Sequence, residues 1–164
     1  MMLERETTAV NGDSEVTIRV ARAQDVPQIV ALFAADEVGG HGDTTDPLAL
    51  ADYLDAFARI TADPRATLHV AEFDGEIAGT FQTTLGTTMT GRGRPVMTIE
   101  AVQTRADLRG RGIGAAMMRF AVDRAREAGC RLVQLSSNAL RADAHRFYER
   151  LGFVKSHVAF KMKL

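Results

Sequence analysis

Three observations predict a single α/β (α+β) domain, a mixed sheet with helices laid against it. The period of the apolar residues switches repeatedly between two and about 3.6, in the order β-αα-β-β-β-α-β-α-β. A hairpin turn, Asp74-Gly75, joins two central strand patterns, so part of the sheet is antiparallel. The chain has 164 residues, 46% hydrophobic and 25% charged, which suits one ordinary domain with its own core.

Val16 to Val20 alternates as a strand, and residues 1–14 before it read as a flexible extension to a domain spanning 15–164. Asp25 and Pro27 open a helix with Val26, Ile29, Val30 and Phe33 on one face. Asp46-Pro47 opens a second helix with Leu50, Leu54, Phe57 and Ala58 in a stripe. Strands are predicted over 67–73, 77–85 and 96–104, the last two separated by a Gly-rich loop, 86–95. A longer helix from Ile113 buries Met117, Phe120 and Ala121 and stops at Gly129. A short strand over 131–136 and a helix over 143–151 follow, the helix carrying Ala144, Phe147, Tyr148 and Leu151 on one side. Residues 153–164 read as one or two final strands.

Composition narrows the function. Nothing approaches the ~18 apolar residues of a membrane span, and the polar N-terminal stretch does not resemble a signal peptide. A single cysteine, Cys130, rules out an intrachain disulfide and a Cys-based zinc site, which fits a cytoplasmic protein. Four scattered histidines lack metal-ligand spacing, so no metal is expected. His69 reads as a core or surface imidazole, while His41, His145 and His157 could approach a site. The net charge of −1 hides an asymmetry: residues 1–100 hold 7 Lys/Arg and 16 Asp/Glu, residues 101–164 hold 13 and 5. The basic half suits an anion, but without interleaved aromatics it does not suggest nucleic acid.

The anion has an evident cradle. Arg109-Gly110-Arg111-Gly112-Ile113-Gly114-Ala115 lies between a strand and a helix N-terminus. Glycines there let successive N–H groups point at a ligand, and the helix end and two arginines add positive charge. Gly110-x-Gly112-x-x-Ala115 also satisfies the dinucleotide fingerprint literally, but five residues separate it from its strand. The next strand ends Ser136-Ser137-Asn138, with no carboxylate for a ribose, and no P-loop Lys follows the glycines.

Arg109-x-x-Gly112-x-Gly114 instead resembles the Q/R-x-x-G-x-G/A loop of the GCN5-related N-acetyltransferases. Ile99-Glu100-Ala101-Val102 resembles that family's fourth strand, and Asp143 to Phe153 its A-x-x-F-Y-x-x-x-G-F helix and strand. The stretch from Leu135 onward, with its Asp-Ala-His-Arg-Phe-Tyr block and Ser156-His157, further resembles bacterial small-molecule acetyltransferases, among them aminoalkylphosphonate N-acetyltransferases. The resemblance implies a centrally splayed sheet and acetyl-CoA as acetyl donor, with direct transfer to a primary amine. Its pyrophosphate would meet the backbone of Arg109 to Ala115 (Gly110, Arg111, Gly112, Ile113 and Gly114 between them), its pantetheine arm Val102, Gln103, Thr104 and Asn138. Arg111 either contacts a phosphate or lies exposed. Glu100 is the candidate general base, with partial burial expected to raise its pKa, and Tyr148 the candidate general acid.

The acceptor is expected to be a small molecule, cationic if Asp43, Asp46, Asp52 and Asp55 face it. A protein Lys or N-terminal amine, or a non-catalytic acyl-CoA sensor, is the alternative. The family resemblance allows a homodimer, which no sequence feature specifies.

Overall fold

A computed structural model describes residues 7–11, 14–39 and 41–164. Its six strands form one sheet in sequence order: β1 (Thr7–Asn11), β2 (Ser14–Val20), β3 (Ala66–Phe73), β4 (Glu76–Gly86), β5 (Val96–Thr104) and β6 (Leu132–Leu135). Neighbours are antiparallel except β5 and β6, which run parallel, so the sheet is mixed as predicted. Helices α1 (Val26–Ala34) and α2 (Leu50–Ala62) fill the first crossover. Helix α3 (Ile113–Glu127) links β5 to β6, and α4 (Ala142–Arg150) follows β6.

Two apolar clusters clamp the sheet. On one face Met117, Phe120 and Ala121 of α3 meet Val16, Ile18, Phe81, Met97 and Ile99. On the other, Ile29 and Leu32 of α1 meet Leu68, Val70 and Ile77, with Phe57 and Ile60 of α2 at the margin. Alternation along β3 explains the division, since successive side chains leave opposite faces of a strand. The predicted stripe of α2 is half right: Leu50 and Phe57 are half-buried, but Leu54 and Ala58 are exposed, and Tyr53, Ala56 and Ile60 complete the inner face. No residue of α2 is fully buried, so i, i+3 and i, i+4 spacing alone could not select its inner face.

Two ends of the chain also differ from expectation. Residues 7–11, read as part of a flexible extension, form β1 and pair with β2, while residues 1–6 and 12–13 of that extension lie outside the described residues. Residues 153–164 form no strand. Their alternation is present, but a strand exists only with a hydrogen-bonding edge beside it.

Charges inside the fold are paired. Arg19 donates to Asp25 at 2.7 Å and, through Nε, to Glu72 at 2.8 Å, beneath the 3-10 turn that starts α1. Burial would raise the Asp25 pKa, yet Arg19 and the Arg22 N–H outweigh it and hold the carboxyl below its usual range. His69 is buried as a neutral ring. It is 4% exposed, stacks on Phe81 at 4.7 Å and sets Nε2 3.2 Å from the Thr83 hydroxyl, leaving Nδ1 without a partner. With the proton on Nε2, the orphan is a lone pair and no buried N–H is left unbonded.

Burial, with a smaller effect from the Arg124 charge, lowers the His69 pKa from 6.5 to about 4. The unfolded chain therefore binds this proton first, and the stabilisation from a neutral His69 is complete above pH 6.5 and lost as pH falls toward 4. Denaturant titrations between pH 7.5 and 4 should show His69→Gln losing less stability than wild type across that window, by about 3 kcal/mol.

Candidate active site

The site begins where the sheet stops pairing. β5 and β6 share hydrogen-bonding register only from Val96↔Leu132 to Ile99↔Leu135. Beyond that point β5 keeps β4 on one side, and its other edge, from Glu100 to Thr104, faces no strand. A bulge sets the divergence: Gln82 pairs with Glu100 but Thr80 with Gln103, so β5 carries one extra residue, and Ala101 takes φ +51°. The central splay expected from the resemblance is present. Val102, Gln103 and Thr104 lie on this unpaired edge, half-buried, where an extended ligand can bond to the backbone as a further strand would.

At the open end of the split lies the glycine loop. Gly112 is the N-cap of α3 at φ +82°, a left-handed conformation that only glycine adopts freely. No side chain caps this helix, so its first N–H groups, from Ile113 to Ala115, remain available to an anion. Gly114 serves a different need: a Cβ there would sit 3.1 Å from Phe147 Cζ, so its absence lets α4 pack against the first turn of α3. Arg109, Gly110 and Arg111 are exposed. The Arg111 guanidinium lies over the Phe73 ring at 5.9 Å, a hold loose enough to release toward a phosphate. Gln103, Thr104 and Arg109 share a cleft of about 270 Å³ with Gln28, Ala31 and Leu32 of α1.

The two proposed catalytic residues fare differently. Tyr148 is half-buried, edge-on to Phe147 at 5.2 Å and to Phe153 at 5.8 Å. Burial raises its pKa above 10 against the opposing charge of Arg141, so the phenol stays protonated as an acid requires. Glu100 is exposed, not partly buried as expected. It sits one residue before the bulge, on the face opposite that by which Ile99 enters the α3 cluster.

Other expectations resolve into local structure. Asn138 is exposed and uses its side-chain oxygen to accept from the Leu140 N–H, while its carbonyl accepts from His145 Nε2 at 2.9 Å. Asp46 caps the turn before α2 by accepting from Leu48, and Asp43 accepts from the Tyr53 hydroxyl. Asp52 and Asp55 are exposed on α2, as is His41 in the preceding loop. His157 pairs with the hydroxyl of Ser156 in the exposed C-terminal stretch. Cys130 is half-buried, and burial raises its thiol pKa, which leaves it unreactive.

Sequence reasoning missed one group altogether. Asp36, just past α1, accepts from Gln103 Nε2 at 2.8 Å and from Arg141 at 2.7 and 2.5 Å. Gln103 belongs to the splayed end of β5 and Arg141 to the loop entering α4, so one carboxylate bridges both walls of the split. Burial works to raise the Asp36 pKa, but Arg141 and Gln103 prevail and hold it below the ordinary carboxylate range. No sequence signal links residues 105 positions apart.

Residues 26–153 match the Acetyltransferase (GNAT) family. The chain belongs to this family. As a GNAT acetyltransferase it takes the acetyl group from acetyl-CoA and transfers it to nitrogen. It is 32% identical over 112 residues to the aminoalkylphosphonate N-acetyltransferase of Salmonella typhimurium, covering 68% of this chain and 72% of that one. A solved structure from Bacillus halodurans, described as a transcriptional regulator, superposes with TM-score 0.87 at 40% identity over 91% of this chain and 99% of its own. An aminoglycoside N-acetyltransferase in complex with CoA shares the fold, with TM-score 0.74 at 18% identity over 94% and 99% of the two chains.

Because Asp36 joins both walls of the split, Asp36→Ala should weaken acetyl-CoA binding by roughly tenfold while costing about 1–3 kcal/mol of stability. Calorimetric titration and denaturant melts on the same preparation check both values.

Proposed function

We propose that this GNAT acetyltransferase acylates the primary amine of a small molecule, with Glu100 as general base and Tyr148 as general acid, in the cytoplasm. The observation that carries the reading is the split itself, an unpaired β5 edge that leads from the uncapped α3 N-terminus to the helix bearing Tyr148. Similarity to an aminoalkylphosphonate acetyltransferase supports a small acceptor that carries both an amine and an anionic group.

An alkylammonium must lose a proton before it can attack, and Glu100 takes that proton directly or through one water. Its exposure suits the water-mediated route. The neutral nitrogen then adds to the thioester carbonyl, a C–N bond forms and the C–S bond breaks. As the tetrahedral adduct collapses the nitrogen sheds its second proton to solvent, and Tyr148 gives its phenolic proton to the departing thiolate and recovers one from solvent, so the products are an amide and the free thiol of coenzyme A. Val102 to Thr104 would hold the pantetheine arm and the backbone of Arg109 to Ala115 the pyrophosphate, while Arg111 would leave the Phe73 ring for a phosphate. Asn138 contributes its amide N–H₂, since its oxygen is already engaged.

Calorimetry with acetyl-CoA and with NAD(H) tests the loop. Wild type should bind acetyl-CoA alone, and Gly112→Trp should abolish that binding. Thiol release over a panel of aminoalkylphosphonates, amino acids, polyamines and Lys peptides then identifies the acceptor. Turnover confined to peptides would replace the small acceptor with a protein one, and binding without any turnover would leave an acyl-CoA sensor.

Glu100→Gln should lower kcat/KM by about 10²-fold, and Tyr148→Phe should lower kcat by about 10- to 10²-fold with acetyl-CoA affinity retained. Steady-state kinetics on the best acceptor would separate the two, and unchanged rates would remove the residue concerned from the mechanism.

A further inference from the structure

Tyr148 has a charged neighbour at the start of its own helix. Arg141 is the residue that opens α4, and Tyr148 follows seven positions later, two turns on and on the same face. Helical side chains lean toward the N-terminus of their helix, a direction that runs from Tyr148 toward Arg141.

Asp36 holds the guanidinium in place. Its carboxylate, 10% exposed, also accepts from Gln103 Nε2 and from the N–H groups of Val38 and Gly39. A Cβ on Gly39 would stand 2.6 Å from Asp36 Oδ2, so the loop wraps the carboxylate this closely only with glycine there. Both bonds from Arg141 to Asp36 leave a single nitrogen, Nη2. The Nε and Nη1 edge of the fork is therefore not committed to Asp36. Its charge stands half-buried, 27% exposed, where water screens it less than at the surface. The other charges around Tyr148 are bonded or exposed. On α4, Arg146 pairs with Asp143, His145 bonds the Asn138 carbonyl, and Glu149 and Arg150 are exposed. The first turns of α3, where Gly114 meets Phe147, are apolar from Ile113 to Met118, and beyond the Phe153 ring Lys155 is exposed.

A cation in this place answers a chemical need. A thiol ionises at about 8.5, whereas burial pushes the Tyr148 phenol up from its ordinary range, so proton transfer from phenol to thiolate runs uphill. The Arg141 charge pushes the other way, because a nearby cation favours the phenolate. We propose that Arg141, clamped by Asp36, is the positioning residue that stabilises the Tyr148 phenolate while coenzyme A departs, a role that rests on Tyr148 being the acid. The phenolic O–H bond breaks as the S–H bond forms, and the guanidinium balances the oxygen anion until solvent returns a proton. The ion pair that joins the walls of the split thereby also serves the reaction.

Tyr148 can be watched alone, since the chain holds two tyrosines and no tryptophan. In full-length Tyr53→Phe protein grown with 3,5-difluorotyrosine, a more acidic phenol, fluorine NMR follows the Tyr148 midpoint. Arg141→Gln should raise that midpoint by about 0.5–1 pH unit, and Arg141→Lys should bring it most of the way back. With tyrosine itself in place, Arg141→Gln should lower kcat by about tenfold in wild type. In Tyr148→Phe it should lower kcat by less than about twofold, because an effect that acts through the phenol vanishes with it. Thermal melts of each variant show that folded proteins are being compared. An unmoved midpoint would overturn the proposal, as would equal kcat losses in both backgrounds. If Tyr148→Phe alone leaves the rate unchanged, the acid assignment itself falls and the role of Arg141 with it, an outcome distinct from a failure of Arg141 alone.

Discussion

A parallel pair of strands that share four positions of register and then part is the constraint on which the rest of this molecule depends. Backbone groups taken out of a sheet must find other partners, and an unpaired edge in mid-sheet is stable only if water or a ligand reaches it. The extra residue at Ala101 turns β5 away from β6 while β4 continues to hold its other side. The opening is therefore built into the backbone and does not rely on a mobile loop. Everything else in the site is placed with respect to it. The α3 N-terminus stands at one end, Tyr148 on α4 lies against the core nearby, and Asp36 spans the gap.

The walls are rigid for different reasons. β5 is fixed by its long ladder with β4 and by Met97 and Ile99 in the α3 cluster. The other wall, β6 with the loop to α4, has only four paired residues and relies on Phe147 against Gly114 and on Arg141 against Asp36. Aromatic packing and a partly buried ion pair thus replace the hydrogen bonds that the splay gives up. A second cleft, of about 430 Å³ and roomier than the one beside Gln103, lies elsewhere, between Arg19, Glu72, Glu76 and Arg105. Its charges are already matched, with Arg19 on Glu72 and Arg105 on Glu76, so cleft size does not locate the chemistry.

Much of this order was legible in the residues, for reasons specific to each element. Asp74-Gly75 adopts positive φ at both positions, so the hairpin could be read from two letters. The stripe on α3 was readable because Ile113, Met117, Phe120 and Ala121 all face one flat sheet surface. Helix α2 meets its cluster only at the margin, and the spacing selects Leu50 and Phe57 correctly but Leu54 and Ala58 wrongly. Five mostly polar or small residues, Thr7–Asn11, carry too little pattern to announce β1. Glu100 shows the limit of strand reasoning: alternation assigns its face, but what covers that face depends on elements distant in sequence. The pairing of Asp36 with Arg141 lies further still beyond such patterns.

That ion pair has a consequence for how the protein is made. Residues 36 and 141 are separated by almost the whole sheet, so their bond closes one of the longest loops in the chain. A nascent polypeptide emerging from the ribosome can complete the β2 to β5 ladders long before Arg141 is available. The crevice then exists with one wall only, and competence to grip a cofactor waits for the segment that carries Arg141.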